Sequence, residues 1–211
     1  MKREDFIKSG GSLPPFSENL VFWAPLEEGD VTEVLHGITP TTDSGCSFVF
    51  DANKQMYRLN ASGGSSSYRG ALKYSNVGMG MGNNHECTIV IDVEEISISG
   101  NRYSAMIATP IIQNNISITY CCNARYFNSI NKNLHRYVAV YGGLNQGEQN
   151  TFERCYYDGI LCYDAVWQGL PIANDSVSLC QLHRNNTQYS IYAKNARVYN
   201  KAFTTEEVAQ L

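Results

Sequence analysis

The chain has 211 residues, of which 43% are hydrophobic and 17% are charged, and its net charge is −4. This apolar content is enough for a full core, which argues against a largely disordered chain. The acidic balance and the lack of a Lys/Arg cluster argue against nucleic-acid binding, and no apolar run approaches the ~20 residues of a membrane-spanning helix.

The first 18 residues are predicted to be a tail, because they contain two glycines and two prolines and lack an apolar period. Residues 19–211 are predicted to be one domain, since no internal repeat or linker divides them. The N-terminus is charged and has no apolar stretch, so it is not a signal peptide. The location stays open: extracellular or at the cell surface if an upstream signal was removed, otherwise cytoplasmic or virion-associated.

Short apolar segments bounded by Asn, Gly or Pro predict about a dozen strands. In chain order they are 20–24, 46–50, 55–59, 70–74, 87–93, 104–108, 116–120, 137–141, 151–157, 160–163, 176–180, 190–193 and 195–199. A Thr-x-x-Glu capping box at 204–207 predicts one short helix near the end. No long helical period occurs elsewhere, so the pattern indicates an all-β sandwich or barrel.

The dipeptide Asp158-Gly159 between two apolar runs predicts a hairpin with a tight turn, because that turn needs positive φ at both central residues. The register then places Cys155 opposite Cys162, within disulfide range. The chain has seven cysteines, an odd number, and their spacing matches no zinc pattern. They are predicted to be mostly buried free thiols, and the oxidation state of Cys155 and Cys162 is left open.

Four segments, in order, resemble the bacterial laminin-G-like (concanavalin A-like lectin/glucanase) domains over roughly residues 19–211. They are Leu20–Leu26; Arg69–Tyr74 with Cys87–Val93; Tyr137–Tyr141 with Tyr156–Ile160; and Ala196–Val208. The resemblance implies an antiparallel two-sheet jelly-roll sandwich with a short C-terminal helix. It also implies binding to glycans or proteins, sometimes through calcium. The chain departs from the family pattern at Cys87, where a Phe is typical, and before the Tyr137 strand, where a Trp is typical.

No catalytic residue is predicted. The related hydrolases carry three carboxylates that alternate along one strand, and here Val90 stands at the nucleophile position. Asp92 and Glu94 share a face and are predicted to be a strand-end surface. The four histidines have no metal-ligand spacing and are predicted to be surface or loop residues.

The predicted ligand-binding residues centre on Trp167, taken to lie in an exposed loop with Tyr163, Asp164 and Gln168. Aromatic rings stack on sugar faces, and polar side chains meet the hydroxyl groups. An equally supported alternative packs Trp167 onto the sandwich, and Trp23 is predicted to be a core residue. Further candidates, from composition alone, are Tyr126, Asn128 and Arg136.

Calcium is a possible cofactor, because Asp92, Asp158 and Asp164 carry oxygen ligands at loops or strand ends. For Asp158 the turn role is preferred over a ligand role. The family's calcium ligands cannot be assigned by motif, so a metal site is left unknown.

The sequence favours a non-catalytic recognition module for a glycan or a cell-surface protein. Low charge and abundant Tyr and Asn suit a neutral, hydroxyl-rich partner. The alternative is a structural or adhesion component, such as a phage-tail or surface-assembly protein, that makes protein contacts only. A glycoside hydrolase with a non-standard site ranks third. The ligand, the oligomeric state and the organism stay open.

Overall fold

The computed structural model describes residues 4, 7, 10, 12–63, 69–77, 86–99, 104–113, 116–123, 133–142, 151–167, 176–182 and 187–211. Only the backbone is described for residues 95–99, 110–113, 116–123, 151–152 and 166–167.

The described residues form twelve strands and one short helix near the C-terminus. The strands are β1 Leu20–Ala24, β2 Ser47–Asp51, β3 Met56–Ser62, β4 Arg69–Tyr74, β5 Cys87–Ser99, β6 Ala105–Gln113, β7 Ile116–Asn123, β8 His135–Gly142, β9 Thr151–Tyr157, β10 Ile160–Trp167, β11 Val177–Leu182 and β12 Gln188–Tyr199. The helix is α1 Thr205–Val208. Its capping box is present as predicted: the Thr204 side chain accepts from the backbone of Glu207, and the Glu207 side chain accepts from the backbone of Thr204.

The strands form two antiparallel sheets. The larger has the order β10-β9-β8-β5-β12-β3-β2, with β1 also paired to β12, and the smaller has the order β4-β11-β6-β7. Every strand pairing in the described residues is antiparallel. The predicted fold class, an all-β antiparallel two-sheet sandwich with a short C-terminal helix, is therefore confirmed. The division between a tail and a domain at residue 18 stays a prediction.

The main core fills the space between the two sheets, because every second side chain of a strand points to the same face. The larger sheet contributes fully buried residues such as Phe22, Ile89 and Ile191, and the smaller sheet contributes Leu72 and Leu179. Each such side chain stabilises the fold by about 1.5–3 kcal/mol relative to an exposed position.

A second, smaller hydrophobic cluster lies on the opposite face of the larger sheet, here called the outer face. Val90, Val138 and Tyr156 come from the strands, and Phe203 and Val208 come from the C-terminal segment. Thr88 fixes that segment, since its hydroxyl donates to Lys201 O at 2.7 Å and accepts from Phe203 N at 3.0 Å. Leu13 and Phe16 pack against the same cluster from the N-terminal side. Terminal segments therefore cover part of the outer face.

The hairpin between β9 and β10 has the predicted turn, with φ of 48° at Asp158 and 77° at Gly159. Its register, however, shifts after Leu161, so that Tyr163 rather than Cys162 pairs with Cys155. The prediction that the two cysteines face each other was therefore wrong, because a bulge inserts one extra residue into β10.

Five cysteines have described side chains, and all five are free thiols. Cys87, Cys155 and Cys180 are buried, Cys46 is half-buried and Cys162 is exposed. Burial raises the pKa of the Cys87 thiol, which makes it unreactive at neutral pH. At Cys162 the thiol donates to Cys155 O at 3.1 Å instead of forming a cross-strand disulfide.

The last predicted pair of strands, 190–193 and 195–199, is one continuous strand, β12. It carries an irregularity between Lys194 and Arg197 in its pairing with β5, and Asn195 has a φ of 53°. Ala193 and Ala196 consequently both face the main core, and Arg197 faces outward. This shift of alternation brings Asn195 and Arg197 to one place on the outer face.

Candidate binding site

The predicted loop around Trp167 is the end of β10, an edge strand of the larger sheet. The loop assignment was wrong, because backbone pairing with β9 continues as far as Trp167 opposite Thr151. Consecutive strand residues point to opposite faces. Tyr163 accordingly packs against the main core, whereas Asp164 is exposed and lies 3.3 Å from Arg154 Nε.

These two neighbours of Trp167 therefore do not share a surface. The Trp167 side chain, Gln168, Tyr126 and Asn128 fall outside the described parts of the chain. Their role in binding, like that of Tyr163 and Asp164, stays a prediction. Among the candidates with described side chains, Arg136 lines a cavity.

That cavity, the outer pocket, lies on the outer face of the larger sheet and has a volume of about 290 Å³. Its lining consists of residues 12–15, Trp23, Arg136, Asn195, Arg197 and Leu211. Strands β1, β8 and β12 thus form its floor, and the two terminal segments form its walls. Volume and mixed polarity place it at the small end of the range seen for ligand pockets, roughly 300–1,000 Å³.

Arg136 is held at the pocket by Asp92. Its Nε donates to Asp92 Oδ1 at 2.6 Å and its Nη2 donates to Asp92 Oδ2 at 3.0 Å. Asn195 Nδ2 also donates to Asp92 Oδ2 at 3.0 Å, and Arg136 Nη1 donates to the backbone oxygen of Leu211. The hydrogen bond that Arg136 donates to Asp92 is the main reason that the pKa of Arg136 is raised. The guanidinium is therefore fixed in position and charged.

This arrangement corrects the prediction that Asp92 and Glu94 form a strand-end surface. Asp92 is 5% exposed and lies in the middle of β5, whereas Glu94 is half-buried and accepts two hydrogen bonds of 2.7 Å from Lys54 Nζ. The strand is longer than predicted, so the position expected at its end lies between β8 and β12 within the sheet. Both carboxylates are engaged with basic side chains.

Arg197 differs from Arg136 in having no acidic partner in the described part of the chain. It is 4% exposed and is the cross-strand neighbour of Trp23. Its Nη1 donates to Tyr199 Oη over a long 3.4 Å, while its Nε and Nη2 have no hydrogen-bond partner. A buried charge without a partner is costly, by about 1–3 kcal/mol or more for the unsatisfied donors.

Tyr199 does not neutralise Arg197. Burial raises the pKa of the Tyr199 hydroxyl, and the nearby charge of Arg197 lowers it only in part. The phenol is therefore neutral at physiological pH and offers one oxygen to the guanidinium.

The three predicted calcium ligands are each engaged with other side chains or backbone groups. Asp158 Oδ2 lies 2.6 Å from His135 Nδ1, and Asp158 Oδ1 accepts from the backbone of Arg136 at 2.8 Å. Asp92 and Asp164 are each paired with a different arginine. Among the described side chains, no group of three or more His, Cys, Asp or Glu residues could hold a metal ion.

Sequence reasoning missed Asn195 and Arg197 as site residues, and it assigned Trp23 to the core alone. Trp23 does belong to the outer cluster, but it also lines the pocket. One signal was available: Arg197 lies inside an apolar strand, between Ala196 and Val198. The alternation of side chains along the strand predicts that Arg197 faces solvent. It is buried because the terminal segments lie over that face.

No protein-family model and no curated protein sequence matches this chain. Within the described ranges, the structure has no helix with the length and apolar character needed to cross a bilayer.

Solved structures of similar fold include binding domains of toxins. The binding domain of Paraclostridial Mosquitocidal Protein 1 has a TM-score of 0.57 and 12% identity, covering 91% of this chain and 51% of that one. The binding domain of Botulinum neurotoxin DC in complex with rat synaptotagmin II has a TM-score of 0.58 and 8% identity, covering 91% and 50%. The same domain in complex with SialylT has a TM-score of 0.58 and 8% identity, covering 92% and 50%.

This chain therefore spans about half the length of the solved chains that it matches. At these identities the likeness shows the fold, a β-sandwich also found in receptor-binding domains. The narrower laminin-G-like or concanavalin A-like assignment is not confirmed by these matches.

Proposed function

We propose that the protein is a non-catalytic recognition module that binds a carbohydrate in the outer pocket. The observation that carries this proposal is the composition of the pocket, where an indole, a guanidinium and a side-chain amide converge (Trp23, Arg197 and Asn195). An aromatic face packs against the C–H groups of a sugar ring, and planar polar groups donate to its hydroxyl oxygens.

The solved structures of similar fold support a binding role, since they are named as binding domains and one of them holds SialylT. A non-catalytic role is further supported by the state of the β5 carboxylates. Asp92 is tied to Arg136, and Glu94 is tied to Lys54. Glycoside hydrolysis needs one carboxylate as acid and a second as nucleophile or base, and neither of these two is free to act.

A blocking substitution in the outer pocket tests the proposal. Ser12 is an exposed residue of the pocket wall, so Ser12→Trp should fill the cavity without altering a strand. Thr42→Trp is the matched control, because Thr42 is exposed and adjoins Thr41, which bridges to Lys73 on the smaller sheet. On a glycan array, we expect the unmodified protein and Thr42→Trp to bind the same glycans.

Ser12→Trp should lose this binding while keeping the same circular-dichroism spectrum. Two results would contradict the proposal: no glycan bound by the unmodified protein, or equal binding by Ser12→Trp.

A second candidate function, a structural or adhesion component that makes protein contacts only, is favoured by one surface. Three large apolar side chains are exposed at the end of the larger sheet near the β9–β10 turn: Leu134 at 43%, Ile160 at 71% and Leu161 at 43%. Large apolar side chains that are exposed at one end of a sheet can mark a protein interface. Light scattering tests it: self-association abolished by Ile160→Lys would support this function, and a monomer at all concentrations would count against self-assembly.

A further inference from the structure

The two arginines of the outer pocket differ in whether one edge of the guanidinium, formed by Nε and Nη2, is hydrogen-bonded. In Arg136, Nε and Nη2 each donate to one oxygen of Asp92, at 2.6 Å and 3.0 Å. In Arg197, the same two atoms, Nε and Nη2, have no partner among the residues that the structure describes, although the residue is 4% exposed. This edge matches the two oxygens of a carboxylate, which accept two parallel hydrogen bonds from it.

We propose that the Nε–Nη2 edge of Arg197 binds the carboxylate of an acidic sugar. The ligand class of the outer pocket is then a carboxylate-bearing monosaccharide unit, such as a hexuronic acid. This inference rests on the proposed function and narrows it. Arg197 becomes the residue that determines specificity for an acidic over a neutral sugar, because a neutral ligand would leave the buried charge without a counter-ion.

The other pocket groups favour a sugar over an acidic peptide as the source of the carboxylate. The cavity of about 290 Å³ is small, and residues 12–15 form one of its walls. Trp23 supplies an aromatic ring beside Arg197, and Ser12 and Asn195 supply polar groups for hydroxyl oxygens. A sugar ring that carries both hydroxyl groups and a carboxylate can contact the indole of Trp23, the polar groups of Ser12 and Asn195, and the guanidinium of Arg197.

Access to Arg197 requires a small rearrangement of the pocket wall, since its Nε and Nη2 are both covered from solvent. Trp23, Arg136, Asn195 and Arg197 are held in β1, β8 and β12, whereas residues 12–15 belong to no strand. We expect this wall to shift when the ligand enters. Binding should therefore change the amide signals of Ser12 and Leu13 in an NMR spectrum.

The experiment is a titration of the full chain, by calorimetry, with separate probes. The probes are glucuronate, its neutral amide glucuronamide, glucose, inorganic phosphate and an acetylated Asp-containing peptide. Glucuronate should bind at least about tenfold more tightly than glucuronamide or glucose, because only the carboxylate pairs with the guanidinium.

Arg197→Gln should weaken glucuronate binding at least about tenfold, because the guanidinium supplies the paired donors. It should not lower the thermal stability of the unliganded protein, because it removes an unpaired buried charge. Arg154→Gln is the matched control, an outer-face arginine paired with exposed Asp164, and it should bind glucuronate normally.

If Arg197→Gln does not fold, Arg197→Lys keeps the charge but lacks the planar fork, and it should also weaken binding. Equal binding of glucose and glucuronate that is blocked by Ser12→Trp overturns this inference and leaves the proposed function standing. Preference for phosphate or for the peptide overturns it as well, because the carboxylate source is then not a sugar. Failure of every sugar, here and on the glycan array, overturns both.

Discussion

The two faces of the larger sheet are both buried in part, but by different means. The inner face is covered by a second sheet, and its buried side chains are mostly apolar, from Phe22 to Ile191. Glu153 is an exception, and it accepts a hydrogen bond from Tyr141 Oη at 2.7 Å. The outer face is covered by the segments before β1 and after β12, and its buried set mixes Val90 and Tyr156 with Asp92 and Arg197. A sheet provides a continuous wall of side chains, whereas terminal segments leave room between them. This difference explains why the outer pocket, with its polar side chains, lies on the outer face.

The largest expected effect compares one phenylalanine from each face. Phe22 packs edge-on against Tyr74, with ring centroids 5.0 Å apart, inside the sandwich. Phe203 lies between Phe16 at 4.7 Å and Tyr199 at 4.8 Å under the terminal segments. We expect Phe22→Ala to lower the free energy of unfolding by about 4 kcal/mol and Phe203→Ala by about 3 kcal/mol. The difference arises because segments outside the sheets can move into part of the cavity that the removed ring leaves.

Urea unfolding followed by tryptophan fluorescence measures both values. The slope of the free energy against urea should be unchanged in Phe22→Ala, since the same surface is exposed on unfolding. A larger loss for Phe203→Ala than for Phe22→Ala would show that the terminal segments are as rigid as the second sheet.

The next effect concerns the charged pair of the outer face. Asp92→Asn removes the negative charge opposite Arg136 and should lower the free energy of unfolding by about 2 kcal/mol. The value is below that of a fully buried pair because the Arg136 side chain is 34% exposed. Glu94→Gln, two residues along the same strand, is the control, since its exposed pairing with Lys54 should contribute less than about 1 kcal/mol.

Chemical denaturation at neutral pH compares these two variants. If Asp92→Asn and Glu94→Gln lower the free energy of unfolding by similar amounts, water reaches the outer face although the terminal segments lie over it. A loss confined to Asp92→Asn would support a dry pocket floor.

The strands, the β9–β10 turn and α1 were predictable from the sequence, because each depends on local alternation, turn chemistry or capping. The period-two pattern of residues 87–93 predicted β5, and the Asp158-Gly159 dipeptide predicted the turn with positive φ. The capping box that begins at Thr204 predicted α1. Each signal lies within a few residues of the structure that it predicts.

The outer pocket was not predictable in the same way, because its burial depends on residues far apart in the chain. The strand pattern places Arg197 on the outward side of β12. It is buried there because Leu13, Pro14 and Leu211, which are distant in sequence, lie near it. The bulge at Cys162 is a similar case, since one extra residue after a correctly predicted turn changes every later pairing of β10. Arg136 was named from composition alone, and nothing local indicated its partner Asp92.

The smallest expected effect tests how firmly the C-terminal segment holds its side of the outer face. Thr204→Ala removes the side chain that caps α1 and should lower the free energy of unfolding by about 1 kcal/mol. The cap also carries a pH dependence. A hydrogen bond from Lys201, and a second from the backbone of Thr204, hold the pKa of Glu207 below its ordinary value of 4.5.

A depressed pKa means that Glu207 stabilises the folded state above its unfolded pKa, and that this contribution is lost as pH falls through the folded pKa. The stability difference between the unmodified protein and Glu207→Gln should therefore be present at about pH 7 and shrink below about pH 4.5. In a Lys201→Met background the same difference should be smaller at about pH 7, because the main cause of the shift is gone. A difference that is independent of pH would mean that the capping box does not hold the C-terminal segment in solution, and the outer cluster would then depend on Phe203 and Val208 alone.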